Sequence, residues 1–177
     1  MIVTEPGMVP DAHIHYLPQD IIDPQYNSGQ TLLYYTGITR LAKNILHQVV
    51  GRYLSRDRAN VATLAHIEQV AREVMSSFIR KDIAQFGCLI DTAWQLNKRL
   101  DPNSSNEEIE TLLTRVRPHI YGAKLLGAGG GGFLLMVSKS HADAATIRQM
   151  LEADPPNERA RFFEYNVSSE GLVVTVS

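Results

Sequence analysis

The sequence predicts an α+β fold in which a helical segment is inserted into a small sheet. Two observations support this prediction: strand-like segments lie near both ends of the chain, and apolar residues recur at helical spacing through its middle. Strands at both ends with helices between them are typical of a sheet that packs helices on one face. We therefore predict a ferredoxin-like core with inserted helices, in a single domain that spans residues 1–177.

The first part of the chain is predicted to form two short strands and a helix. The stretch HIHYLP (13–18) has the composition of a short strand, and TLLYYTG (31–37) is richer in β-branched and aromatic residues. Gly37 ends the second strand. A helix is predicted from Thr39 to about Tyr53, because apolar residues return there at helical spacing.

Two further helices are predicted in the middle of the chain. One follows the polar break SRDRAN and runs from Val61 to Ile79. The next begins at Ile83 and is stopped by Asp101 and Pro102.

Ser105 and Glu108 form a capping-box pattern, which predicts the start of a fourth helix. Four of its residues have the spacing of a core-facing stripe: Ile109, Leu112, Leu113 and Val116.

The last third of the chain is predicted to return to strands. FLLMVSK (133–139) is too apolar for an exposed strand, so we predict a central one. A short helix is predicted from His141 to Leu151. RFFEYNV (161–167) and LVVTV (172–176) have strand composition and are predicted to form a terminal hairpin.

The composition is that of an ordinary soluble globular protein, with 44% hydrophobic and 20% charged residues. A net charge of -2 argues against a general nucleic-acid or membrane-surface binder. No apolar run approaches the roughly 20 residues that a membrane-spanning helix needs, and the first residues lack a secretory signal. The single cysteine, Cys88, excludes an internal disulfide, so we expect a cytoplasmic protein.

The most unusual segment is KLLGAGGGGFLLMVSK (124–139), which places five glycines in six positions. Glycine loses more backbone entropy on folding than any other residue, so such a run indicates that the bare backbone is needed. A tight turn between two strands requires only one or two glycines. We therefore favour an anion or a sugar lying against this loop, with phosphate as the usual guest.

Residues 127–132 formally satisfy the dinucleotide-binding pattern GxGxxG. That pattern must follow a strand and open a helix, because the helix N-terminus holds the pyrophosphate. Here a strand is predicted after the glycines, and a helical segment is predicted to end a few residues before them. The P-loop pattern also fails, because Phe133 and Leu134 stand where Lys and Ser or Thr are required.

TGITRLAKN (36–44) is a second place that suits an anion, at the junction of a strand and a helix. Arg40 and Lys43 lie in the predicted first turn, where cations oppose the helix dipole. A phosphate or polar substrate beside them would explain this arrangement. The alternative, that both side chains simply reach solvent or a carboxylate, is left open by their spacing.

Other candidate residues have weaker patterns. His13 and His15 share one side of a strand, but no third zinc ligand lies nearby, so surface histidines are favoured and no metal site is predicted. Cys88 and Trp94 are predicted to be buried packing residues. Asp82 and Asp91 are more typical of a polar helix face, and no catalytic residue is assigned.

AKLLGAGGGGFLLMV (123–137) resembles the third conserved motif of the GHMP small-molecule kinases, the family of galactokinase, homoserine kinase and mevalonate kinase. LLYYTGITRLAKNIL (32–46) is similar to the C-terminal part of L-fucokinases and heptose-phosphate kinases, which have a strand followed by TG-x-[ST]-R and a helix. FGCLIDTAWQLNKRLDP (86–102) resembles the helix that precedes the glycine loop in those enzymes. The resemblance extends from about residue 32 to residue 174.

The resemblance implies the C-terminal, substrate-side domain of an ATP-dependent sugar kinase that phosphorylates the anomeric hydroxyl. The family's P-x-x-x-G-L-G-S-S-A loop, in an N-terminal domain, does not occur in this sequence. The resemblance implies ATP and Mg²⁺ as cofactors of the complete enzyme. Because this ATP-binding loop is missing, we expect this chain alone to bind neither of them tightly. The implied ligand-binding residues are Gly127, Ala128, Gly129, Gly130, Gly131, Gly132, Thr36, Gly37, Thr39, Arg40 and Lys43.

The resemblance also implies partners: a sugar or sugar phosphate, and an N-terminal kinase domain. An unpaired docking face would favour self-association, whereas no nucleic acid or membrane is expected. We predict that the chain alone is inactive, because phosphoryl transfer needs both walls of a cleft. The alternative is a non-catalytic module that binds a sugar phosphate or a partner protein.

Overall fold

The computed structural model describes residues 1–4, 11–39, 45–127 and 129–168. The described strands are β1 (Ile2–Thr4), β2 (Ala12–Ile14), β3 (Thr31–Tyr35), β4 (Ile120–Leu125), β5 (Phe133–Ser138) and β6 (Arg161–Phe163). The described helices are α1 (Ile45–Leu54), α2 (Arg58–Arg80), α3 (Ile83–Leu100), α4 (Glu107–Val116) and α5 (His141–Ala153). None of these helices is long and apolar enough to cross a membrane.

Four strands form the main sheet, in the spatial order β4-β5-β3-β6, and every neighbouring pair is antiparallel. Numbered by their order along the chain, these strands read 2-3-1-4, which is the arrangement of a ferredoxin-like β-α-β-β-α-β unit. The segment between β3 and β4 contains α4 and also α1, α2 and α3. The predicted ferredoxin-like core with an inserted helical segment is therefore confirmed.

Both faces of the sheet are covered, and β5 shows this most clearly. Leu134 and Met136 lie in one apolar cluster, together with residues of α4 and α5. Leu135 and Val137 point to the other face, where they join Phe86 of α3 and other residues of α2 and α3. The prediction that helices cover only one face is wrong, because the inserted helices bury the second face of the central strand.

Strand β4 was not predicted, and it changes the setting of the glycine loop. In the segment IYGAKL a glycine and a lysine interrupt the apolar residues, and the register with β5 shifts between Ile120 and Gly122. Its strand conformation follows from pairing with β5 rather than from local composition. The glycine loop consequently joins two antiparallel strands. The prediction that a helical segment ends a few residues before the glycines is wrong, because β4 lies between α4 and the loop.

Helix α3 packs closely on β4 through two glycines. A Cβ on Gly87 would lie 2.5 Å from the Cβ of Tyr121, and a Cβ on Gly122 would lie 2.7 Å from the Cβ of Asp91 and overlap the Gly87 carbonyl. Backbone therefore meets backbone at this point, which brings the helix against the strand that leads into the glycine loop.

The predicted helices agree with the structure except in details. Trp94 is fully buried, as predicted, at 0% exposure. Cys88 was predicted to be buried and is exposed, because it lies on the outer side of α3 between buried neighbours. The helix predicted from Thr39 begins at Ile45 among the described residues, and residues 40–44 lie outside them.

The two ends of the chain are described only in part. The strand predicted at 13–18 is the shorter β2, which pairs with β1 as a separate two-stranded sheet. The first strand of the predicted terminal hairpin is β6, which pairs with β3. Its second strand, LVVTV, lies outside the described residues.

The N-cap of α4 is Asn106, so the predicted capping box of Ser105 and Glu108 is wrong. The Asn106 side chain accepts a hydrogen bond from the N–H of Ile109 at 2.9 Å. The Ser105 hydroxyl instead donates to Glu110 Oε1 at 2.6 Å on the surface. A preceding 3₁₀ turn, Pro102–Ser104, shifts the start of the helix by one residue.

The N-cap position of Asn106 predicts that two alanine substitutions change the free energy of unfolding by different amounts. Asn106→Ala should lower the free energy of unfolding by about 1 kcal/mol, because the N–H of Ile109 loses its acceptor. Ser105→Ala should change it by less than about 0.5 kcal/mol, because only an exposed bond is lost. Urea denaturation of both variants measures the difference, and a larger loss for Ser105→Ala would restore the capping box.

Candidate functional site

The glycine loop between β4 and β5 has a backbone that only glycine adopts readily. The dihedral angle φ is +80° at Gly127, +91° at Gly129, +79° at Gly130, +153° at Gly131 and +87° at Gly132. Other L-residues are disfavoured at such angles. The repeated glycines are thus required by the path of the chain, and not only by one turn.

Two backbone carbonyls of the protein hold the loop at two different glycines. The N–H of Gly130 donates to the Ser104 carbonyl at 2.5 Å, and the N–H of Gly132 donates to the Ile38 carbonyl at 2.9 Å. The Gly132 carbonyl in turn accepts from both the N–H and the hydroxyl of Thr36, each at 2.9 Å. We call the Ser104 and Ile38 carbonyls, with Thr36, the loop clamp.

Close packing is a second reason for glycine at two positions. A Cβ on Gly129 would lie 2.6 Å from the Ser104 carbonyl oxygen, and one on Gly131 would lie 2.8 Å from the Ile38 carbonyl carbon. Gly127 and Gly132, in contrast, have no atom within 4 Å of a Cβ. One side of the loop is therefore packed against the clamp, and the other side is open.

The backbone N–H groups of the loop alternate between those that form a hydrogen bond and those that form none among the described residues. Those of Gly130 and Gly132 are bonded to the clamp, whereas those of Gly129 and Gly131 meet no hydrogen-bond acceptor within the described part of the chain. Unpaired N–H groups in a loop with positive φ form concavities that bind anions. Gly129 and Gly131 therefore offer the donors that a phosphate oxygen would use.

The structure brings part of the second predicted site to the same place. Thr36 is fully buried, and its hydroxyl is occupied by the Gly132 carbonyl, so its geometry is that of a residue that holds the loop. Gly37 has φ of +72°, and Thr39 is exposed. The remaining predicted residues of these two segments, Ala128, Arg40 and Lys43, lie outside the described residues.

Sequence reasoning did not identify Asn157, which supports this junction from the loop after α5. Its Nδ2 donates to the Thr36 carbonyl at 2.8 Å, and its Oδ1 accepts from the N–H of Arg159 at 3.0 Å. A Cβ on Gly37 would overlap its side chain. A shallow depression of about 440 Å³ adjoins this contact, lined by Gly37, Ile38, Glu108, Asn157, Glu158 and Arg159.

Sequence reasoning also missed Lys124, which lies in β4 directly before Leu125 and Leu126. Its ammonium lies 6.0 Å from the centre of the Trp94 ring and donates to the Leu125 carbonyl at 3.3 Å. With the Asn97 amide oriented to satisfy its neighbours, the amide oxygen accepts from the same ammonium at 2.7 Å. No carboxylate among the described residues forms an ion pair with it.

Burial lowers the pKa of the Lys124 ammonium from its usual value of 10.5. The folded protein therefore binds this proton less tightly than the unfolded chain does. A half-buried cation that costs stability beside a loop with unpaired N–H donors is explained if the charge serves a bound anion.

Lys124→Met is expected to raise the free energy of unfolding at pH 7, because the buried charge is removed. The gain should shrink as the pH rises through the lowered pKa toward 10.5, since the wild-type lysine is then neutral in both states. Urea denaturation at several pH values measures this difference. A loss of stability at pH 7 that does not depend on pH would contradict this account of Lys124.

Part of the chain matches a known protein family. Residues 74–157 match the family model of the GHMP kinases C terminal. The chain contains a GHMP kinase C-terminal domain. Over its whole length it is 34% identical to an L-fucokinase/L-fucose-1-P guanylyltransferase of Bacteroides fragilis, and it covers 19% of that protein.

A second relative and a solved structure extend the comparison. The chain is 29% identical over 107 residues to the D-glycero-alpha-D-manno-heptose 7-phosphate kinase of Campylobacter jejuni. This alignment covers 60% of this chain and 31% of that protein. The crystal structure of L. major mevalonate kinase in complex with R-mevalonate aligns with a TM-score of 0.65 at 21% identity, over 78% of this chain and 43% of that chain. The resemblance to the GHMP kinases, and to L-fucokinases and heptose-phosphate kinases within them, is confirmed.

Proposed function

We propose that this chain is the substrate-side domain of an ATP-dependent sugar 1-kinase of the L-fucokinase type. In the complete enzyme the γ-phosphoryl group of ATP would pass to the anomeric hydroxyl of the sugar. The observation that supports this proposal is in the glycine loop: the N–H groups of Gly130 and Gly132 are bonded to the clamp, whereas those of Gly129 and Gly131 have no acceptor among the described residues. The relatives named above support the reaction class and the acceptors to be tested.

Phosphoryl transfer depends mainly on positioning and on stabilising charge at the phosphate oxygens. The N–H groups of Gly129 and Gly131 would bind and orient these oxygens, and the half-buried Lys124 ammonium would add positive charge at the end of β4 that leads into the loop. Thr36 would keep the loop in place through the Gly132 carbonyl. Gly37, Thr39, Arg40 and Lys43 are proposed to lie on the sugar side.

ATP would arrive with Mg²⁺, which neutralises phosphate charge in such reactions. Within the described residues, no group of three or more His, Cys, Asp or Glu side chains could hold a metal ion. The loop donors fit phosphate, so we assign phosphate contacts to this chain and no magnesium ligand to its described residues. We also assign it no catalytic base.

A segment exchange tests this function. This chain replaces the matching segment of the Bacteroides fragilis protein, and ATP-dependent phosphorylation is measured with L-fucose and with a heptose 7-phosphate. We expect turnover by the chimera and none by this chain alone. The parent protein assayed in parallel controls for the assay.

Each outcome decides between the candidate functions. Turnover by the chain alone would show that it holds a complete nucleotide site, which the proposal denies. A folded chimera that phosphorylates neither acceptor would overturn the proposal and favour a non-catalytic sugar-phosphate-binding module.

A further inference from the structure

The 3₁₀ turn Pro102–Ser104 contacts the glycine loop at Gly129 and Gly130. Ser104 is 3% exposed, and its carbonyl accepts the N–H of Gly130. The same carbonyl would lie 2.6 Å from a Cβ on Gly129. The position of this turn therefore sets the position of the loop backbone.

Asp101 shapes this turn from a buried position. It is 1% exposed, and its Oδ1 accepts two hydrogen bonds from Asn103, one from the backbone N–H and one from Nδ2, both at 3.0 Å. The Asp101 carbonyl accepts the N–H of Ser104 at 2.9 Å. The backbone N–H of Asp101 donates to the Asn97 carbonyl at 2.9 Å, which attaches the turn to the end of α3.

The second carboxylate oxygen of Asp101 does not stabilise the fold through a hydrogen bond in the described part of the chain. Oδ2 of Asp101 is buried and has no hydrogen-bond partner in the part of the chain that is described. An unpaired buried carboxylate oxygen costs folding free energy. An asparagine would offer the same Oδ1 acceptor without a buried carboxylate, so the Oδ1 acceptor is the part of Asp101 that shapes the turn.

We propose that Asp101 is a positioning residue for the glycine loop. Through the turn it places the Ser104 carbonyl, which fixes Gly130 and leaves the N–H groups of Gly129 and Gly131 free for a phosphate. The phosphate role of those groups rests on the proposed function, whereas the clamping of Gly130 by the turn does not. The turn also makes the end of the inserted α3 part of the loop's support, in addition to the contacts from Thr36 and Ile38 after β3.

Amide hydrogen exchange measured by NMR on the full chain tests this proposal. Asp101→Ala should raise the exchange rate of the Gly130 amide about tenfold, because the turn loses the acceptor that shapes it. The amides of Leu135 and Met136 in the central strand β5 should keep their wild-type rates. Asp101→Asn should restore Gly130 to within about twofold of wild type, because an amide oxygen replaces Oδ1.

Two further variants keep the test decisive. Asp101→Ser retains a shorter and weaker acceptor, so its Gly130 rate should fall between those of wild type and Asp101→Ala. Asp82→Ala is the matched control, since Asp82 caps the opposite end of α3 by accepting the Gln85 N–H at 2.9 Å. It should destabilise α3 and leave Gly130 no more affected than Leu135.

The same samples are titrated with pyrophosphate, following the Gly129 and Gly131 amide signals. We expect Asp101→Ala to weaken the apparent affinity about fivefold, and Asp101→Asn to match wild type. If wild type shows no pyrophosphate response, the proposed function fails while the exchange rates still judge the clamp. Unchanged Gly130 protection in Asp101→Ala, or equal acceleration of Gly130 and Leu135, would overturn the positioning role.

Discussion

Gly122→Ala is expected to lower the free energy of unfolding by about 3 kcal/mol or more, because overpacking at a backbone contact cannot be relieved by rotating a side chain. The new methyl group would overlap the Gly87 carbonyl and lie 2.7 Å from the Cβ of Asp91. Helix α3 would have to move away from β4, which is the strand that leads into the glycine loop. Urea denaturation followed by circular dichroism measures the loss.

Gly51→Ala is the matched control, because the same change is made in a helix where nothing lies within 4 Å of the new Cβ. It should leave stability unchanged or raise it by about 0.5–1 kcal/mol, since alanine loses less backbone entropy in a helix. A Gly122→Ala protein as stable as wild type would show that α3 does not rest on β4 as described.

Gly131→Ala is expected to have the largest effect on activity. Its φ of +153° disfavours alanine, and the new Cβ would lie 2.8 Å from the Ile38 carbonyl carbon. The loop would be displaced from the clamp, and displacement by about 1 Å can lower the rate of an oriented reaction about 100-fold. The measurement is kcat/KM for sugar phosphorylation by the chimera with and without the substitution.

Gly127→Ala provides the comparison within the same loop. Its φ is also positive, but no atom lies within 4 Å of the new Cβ. The cost should be limited to about 1–2 kcal/mol of backbone strain, with a smaller loss of kcat/KM than for Gly131→Ala. Equal losses for the two variants would mean that packing against Ile38 does not position the loop.

Most of the fold follows from local patterns in the sequence. The apolar run of β5 and the helical spacing in α2, α3 and α4 predicted those elements, because burial of apolar residues dominates each of them. Strand β4 lacks such a pattern. Pairing with β5 and packing on α3 make it a strand, and these interactions join residues far apart in sequence.

The number of layers could not be predicted for a related reason. The apolar run predicts that Leu134 to Val137 are buried, and the structure confirms it, but the run does not show which helix covers each face of the sheet. The same limit explains Cys88, whose apolar neighbours in sequence lie on the inner side of α3 while it lies on the outer side.

The candidate site divides in the same way. The glycines were recognised because they are unusual in composition, but the groups that hold them were not. Ser104 and Ile38 act through backbone carbonyls, which every residue has, and Asn157 contacts Thr36 across a separation of 121 residues. Lys124 has no distinctive sequence pattern, because it is its contact with Trp94 of α3 that half-buries its ammonium.

The most direct test of the phosphate-binding role is an NMR titration of the wild-type chain with pyrophosphate. We expect the amide signals of Gly129 and Gly131 to shift and to saturate at millimolar pyrophosphate. The shifts at Gly130 and Gly132 should be smaller, because their N–H groups are bonded to the clamp. Shifts that are largest at Gly130 and Gly132, or that occur only outside the loop, would contradict the phosphate-binding role.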